Sequence, residues 1–226
     1  MAGLVRGTTG FGGAMVMAPP LALLLGPKVA VPVALLLETF AAAPMLPAAW
    51  ALARWRLIAP IIAAAVAAVP VGGVLLAGAS ALTLRRVISG TVIVFALALL
   101  SGRRYQGEPR LLTSICVGAL SGTTLVATSI GAPPVILYLL SGPDTAAVTR
   151  ANLTLYLVAL SAAGLVALAF GGLVTLPTLQ LAALMAVPFM GGVVAGSRLF
   201  ARLSDLRFRR ITMLFMMGVA LGVLFA

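Results

Sequence analysis

The 226-residue sequence contains no histidine, a single cysteine and four acidic residues. Without histidine it lacks the commonest transition-metal ligand and the usual proton shuttle near neutral pH, so neither a metal site nor a cofactor is expected. Cys116, standing alone, excludes an internal disulfide. Four carboxylates with no clustered nucleophile and base leave little from which to assemble catalysis, and no enzymatic activity is expected. A glycine-rich phosphate loop ending in Lys-Ser/Thr is also missing, which argues against nucleotide-driven pumping within this chain. Met1 through Gly7 lack the basic-then-apolar order of a cleavable signal peptide, so the first hydrophobic segment is expected to stay in the protein.

What the sequence does contain is apolar. Hydrophobic residues make up 62% and charged residues 8%, and the mean hydropathy is +1.21, beyond what a water-exposed domain with a polar surface shows. A helix needs roughly 20 apolar residues to cross the hydrocarbon core, so the length suits about eight crossings with short loops. Apolar segments run over 2–25, 29–52, 57–79, 83–101, 111–140, 145–170, 173–197 and 208–226. The expected fold is an all-α polytopic transmembrane bundle whose solvent is lipid. The net charge of +11 comes from arginines scattered between these segments. That pattern suits retention of short loops at the cytoplasmic face better than a nucleic-acid surface.

The polar run from Gly102 to Arg110 interrupts the apolar pattern and divides the chain into 1–101, a linker 102–110, and 111–226. The two sides match in order. Gly7-Thr8-Thr9 corresponds to Gly122-Thr123-Thr124, Ala18-Pro19-Pro20 to Ala132-Pro133-Pro134, and Gly26-Pro27 to Gly142-Pro143. Pro70 through Val74 resembles Pro188 through Val193, and Leu84-Arg85-Arg86-Val87 resembles Phe208-Arg209-Arg210-Ile211. Offsets drifting from about 115 to 124 point to duplication, two repeats of four spans each. Whether the halves are parallel or inverted is not fixed by the loop charges.

The first segment of each half should be broken. Gly7 through Gly13 crowds four glycines and two threonines ahead of Pro19-Pro20, and glycine costs a helix about 1 kcal/mol and proline about 3. The second half repeats the pattern from Gly118 to Pro134. A break at membrane depth leaves backbone groups that are tolerable only where they meet protein, water or ligand. Two facing half-helix starts would make a pocket for an anion. The expected contacts are Thr8, Thr9, Gly10, Phe11, Gly12 and Gly13 from one break, and Thr123, Thr124, Thr128, Ser129 and Gly131 from the other, the hydroxyls adding uncharged donors. Close helix packing by small residues is the competing reading of these glycines.

Charged residues in the spans carry the rest. Glu38 lies well inside the second segment, where a lone carboxylate is costly; it either titrates as a coupling proton site or pairs with an arginine. Arg150, with Asn152 close behind, opens the corresponding span of the second half and either binds the anion directly or anchors at the interface. Arg6, so near the chain start, reads as an anchor. By repeat alignment Glu38 corresponds to Thr154 and Phe40 to Tyr156, so the halves share a scaffold but not their chemistry.

At these glycine motifs the sequence resembles the sulfite exporter TauE/SafE family of membrane permeases, over essentially the whole chain. The resemblance implies transport, as export across a bacterial inner membrane, of sulfite, an organosulfonate or a related sulfur anion driven by an ion gradient. Two departures are visible: Ala127 through Pro133 carries less glycine than such families tend to show, and few apolar residues precede the first motif. A non-transporting assembly subunit and a membrane-embedded enzyme are the competing classes.

Overall fold

The computed structural model describes residues 1–9, 12–101, 110–139, 144–200, 217, 218 and 220–222. Among them, regular structure is helical throughout: α1 (Ala2–Thr9), α2 (Gly13–Leu25), α3 (Pro27–Ala42), a 3-10 turn at Ala43–Met45, α4 (Leu46–Leu52), α5 (Trp55–Gly78) and α6 (Ala81–Leu100). After the polar run come α7 (Leu111–Thr128), α8 (Ala132–Leu139), α9 (Ala146–Phe170) and α10 (Leu176–Phe200). Each expected apolar segment up to residue 197 coincides with one helix or two consecutive ones to within a few residues. The eighth segment, 208–226, falls largely outside the described residues, as does most of the linker.

Among the described residues, six stretches are long and apolar enough to cross a membrane: α3 running into α4, α5, α6, α7, α9 and α10. Their surfaces are those of helices in lipid. Phe170, Leu24, Val187 and Leu184 are well exposed, whereas the polar side chains Ser89, Ser121 and Asn152 are fully buried. Two of the prolines fall where they do least harm. Pro27 opens α3 at a position whose N–H would be unpaired anyway, and Pro44 sits in the 3-10 turn that bends α3 into α4. Helix starts at Ala81 and Ala146 are capped by Ser80 and Thr145, which accept from Thr83 N (3.1 Å) and Val148 N (3.4 Å).

Backbone contact between glycines sets two helix pairs. α1 lies against α10, where a side chain on Gly3 would strike the Phe189 carbonyl oxygen, one on Gly7 the Val193 oxygen, and one on Gly196 the Leu4 oxygen. α7 lies against α5 in the same manner, with Gly118 over the Ile61 carbonyl and Gly122 over that of Ala65. Small-xxx-small spacing in α1, α7 and α10 lets the backbones approach closely, which is what drives association where apolar side chains gain nothing by leaving lipid.

Polar links close the ends. Arg85 of α6 donates to the Ala22 and Leu23 carbonyls at the end of α2 (both 3.1 Å), placing a cation at the negative end of that helix. Lys28 donates to the Ala77 carbonyl (2.7 Å). The α4–α5 turn is fastened to α9 by Arg54, whose guanidinium pairs with Asp144 and whose backbone N–H donates to Asn152 Oδ1 (2.9 Å).

Candidate functional site

Both first segments are interrupted. α1 ends at Thr9 and α2 begins at Gly13, with Gly12 in the left-handed region at φ 85°; Gly10 and Phe11 lie outside the described residues, as does the Thr9 side chain. α7 ends on Ser129, also left-handed at φ 61°, and α8 begins at Ala132. The matched prolines fall differently about the two breaks. Pro133 and Pro134 occupy the first turn of α8, whereas Pro19 and Pro20 lie inside α2, a full turn and more beyond its start.

The two breaks meet. Gly12, Ala14 and Met15 of the first and Ser129, Ile130, Gly131, Ala132 and Pro133 of the second line one cavity. Its remaining walls are Leu35, Glu38, Leu125, Leu157 and Ser161. The volume is ≈ 30 Å³, room for roughly one or two waters, so this is a tight conformation of the pocket.

Glu38 supplies the charge. Its Oε1 accepts from the Ala14 N–H at the start of α2 (2.8 Å), and its Oε2 is paired with Arg6 Nε at 2.8 Å. Arg6 is 5% exposed and Glu38 7%, so this is a buried ion pair, not a surface one. The interfacial-anchor reading of Arg6 is thus corrected. α1 is too short, and packed too closely on α10, to bring residue 6 to a surface. Of the two readings left open for Glu38, pairing with an arginine is the one found. Gly13 is needed beside it, because a Cβ there would strike Glu38 Oε1.

The hydroxyls do different work from that expected. Thr8 donates to the Leu4 and Val5 carbonyls (both 3.0 Å), Thr124 to Leu120 and Ser121 (2.9 and 3.1 Å), Thr128 to Thr124 (2.6 Å), and Ser129 to the Thr128 carbonyl (2.6 Å). These protons serve the chain's own carbonyls, a local bonding habit of threonine and serine in helices. Thr8, Thr123, Thr124 and Thr128 do not line the cavity; Ser129 does. Arg150 is exposed in the first turns of α9, a position that fits an anchor. Asn152 is fully buried against the α4–α5 turn, with its Nδ2 without a partner among the described residues, and it too is outside the cavity. Thr154, the counterpart of Glu38 in the repeat alignment, bonds to the Arg150 carbonyl (2.9 Å).

The two half-helix starts are also unequal. α2 brings backbone donors at Gly13, Ala14 and Met15, but two of the first four residues of α8 are prolines without an N–H. The anion-attracting wall is therefore the α2 side. The α8 side is held by a relay the sequence did not suggest: the Tyr156 hydroxyl bonds to Ser121 Oγ, which bonds to the Gly131 carbonyl. Tyr156 and Ser121 are fully buried. Their signal was a serine and a tyrosine in otherwise apolar spans, which reads equally as packing. Ser121→Ala should strand both the Gly131 carbonyl and the tyrosine hydroxyl, lowering stability by about 1–3 kcal/mol; thermal unfolding in detergent measures this, and an unchanged transition would refute the relay.

Comparison with family models matches the chain over residues 1–223 to the family described as Sulfite exporter TauE/SafE. Comparison with curated proteins and with solved structures found no match.

Proposed function

Because the chain belongs to the sulfite exporter TauE/SafE family, we propose that it is a secondary transporter that exports a small sulfur-containing oxyanion, such as sulfite or an organosulfonate, across a bacterial inner membrane. It is a multi-pass membrane protein by its apolar helices and its family. The observation that carries the site is the meeting of the two helix breaks around one cavity, with Glu38 of the buried Arg6–Glu38 pair in its wall. Packing alone requires neither a broken helix nor a buried carboxylate, and intramembrane ionisable groups mark ion and substrate paths.

The proposal includes eight crossings in two repeats, 1–101 and 111–226, joined by 102–110. Reciprocal packing supports it: the first helix of each half lies on the third apolar segment of the other, α1 on α10 and α7 on α5, through glycines of α1 and α7 that correspond in the repeat alignment. Substrate sites at such repeat interfaces are common in secondary transporters. Within the site, Gly12, Gly13 and Ser129 with Gly131 are the proposed near neighbours of the anion, and Glu38 the proposed coupling group.

Proteoliposomes holding the purified chain test this. Sulfite or methanesulfonate should cross down an imposed gradient faster than through protein-free vesicles, and the rate should respond to a proton gradient. Flux of both anions at the protein-free level would reduce the reading to the fold.

A further inference from the structure

Resting on that transport reading, we propose that the Glu38 carboxylate occupies the anion subsite itself, and that the substrate oxyanion displaces it from Arg6 and from the first turn of α2 as Glu38 takes up a proton. The carboxylate is bound as a ligand would be. One oxygen takes a backbone N–H at the positive end of a thirteen-residue helix, Ala14 N at 2.8 Å, and the other takes the Arg6 guanidinium at 2.8 Å. A sulfur oxyanion presents the same pair of acceptors to the same donors. Gly13 leaves the backbone bare at that point, and a side chain there would strike the bound oxygen.

Charge requires the exchange. The Glu38 side chain stands in the wall of the cavity beside the pair. With Arg6 and Glu38 both ionised the site is neutral, so an added anion would be an uncompensated charge in a buried pocket. One proton on the Glu38 carboxylate restores the balance: the anion then faces Arg6, and the neutral acid withdraws. Among the described residues no other charge competes. α2, the α7–α8 break and α9 turn uncharged groups toward the cavity, with Ser129 and Ser161 its hydroxyls. Tyr156 of α9 is bonded to Ser121. Phe189 is the α10 residue that approaches Gly13, and Arg198 is exposed. Arg85 of α6 holds the opposite end of α2.

Binding of labelled sulfite to the full chain in nanodiscs, measured across a pH series for wild type and Glu38→Gln, tests the exchange. The variant lacks the competing charge and should bind about tenfold tighter or more near neutral pH, since self-occupation lowers apparent affinity by the fraction of sites left free. The difference should close as pH falls, and taking the ratio at each pH cancels sulfite's own protonation. A second measurement needs no variant: saturating methanesulfonate, which does not titrate in this range, should draw about one proton per bound anion from weakly buffered medium. Equal or weaker sulfite binding by Glu38→Gln at every pH, or anion binding without proton uptake, overturns the exchange while leaving transport standing. Absence of binding and of flux for both anions in wild type removes both.

Discussion

Arg6→Ala should lower the stability of the folded chain by about 3–5 kcal/mol, the usual cost of removing one partner from a buried ion pair, and should abolish anion transport in whatever protein folds. The pair is buried on both sides, and without the guanidinium the Glu38 carboxylate would keep, among the described residues, a single backbone donor, Ala14 N. A lone carboxylate buried there is costly. The penalty is one of mismatch more than of lost attraction, because a well-packed neutral pair can be as stable as a buried ionic one. Arg6→Met combined with Glu38→Gln should therefore unfold well above Arg6→Ala alone. Thermal unfolding in detergent for Arg6→Met, Glu38→Gln and the double gives the coupling directly, with Arg6→Ala measured beside them. Arg6→Ala melting with wild type would mean that the pair does not hold α1 to α3.

The helices, their approximate limits and their lipid environment were legible because length and hydropathy act locally: twenty apolar residues admit few alternatives. The breaks after Thr9 and after Thr128 were legible for the same reason, since glycine and proline act on their own turn. Partnership was not. Arg6 reads as an anchor when its six-residue distance from the start is the sole information, and it becomes a site residue because α1 is held against α10 by Gly3 and Gly7. Pairing with an arginine was one of the two readings open to Glu38, but the sequence offers fifteen basic residues and no means of choosing among them. The hydroxyls are the converse case. Thr8, Thr124 and Thr128 lie where free donors were expected, yet each bonds to carbonyls of its own helix, a choice made by side-chain rotation that spacing does not encode. Phe40 and Tyr156 correspond in the repeat alignment, yet the first is 54% exposed and the second fully buried; aligned positions therefore share a helix place without sharing an environment.

Gly122→Ala carries the second large effect. In lipid no hydrophobic force draws α5 and α7 together, so the pair depends on close backbone contact, and the added methyl would strike the Ala65 carbonyl and its Cα neighbourhood. Overpacking of this kind costs about 1–3 kcal/mol and occasionally more, and here the obstacle is backbone, which cannot rotate aside. Gly7→Ala should behave alike on α1, against the Val193 carbonyl. Gly73→Ala on α5 is the control, since a methyl there meets nothing within 4 Å, and it should be neutral or, through the better helix propensity of alanine, slightly stabilising. Transport should follow stability for a geometric reason: α7 carries Ser129 and α1 runs into the α2 break, so pushing either helix outward shifts one wall of the cavity against the other. Unfolding temperature and sulfite flux, measured on all three variants, test both statements. Gly73→Ala destabilised as much as Gly122→Ala would show that these glycines serve helix flexibility instead of contact, and flux preserved in a destabilised Gly122→Ala would separate the α5–α7 contact from the site it is argued to position.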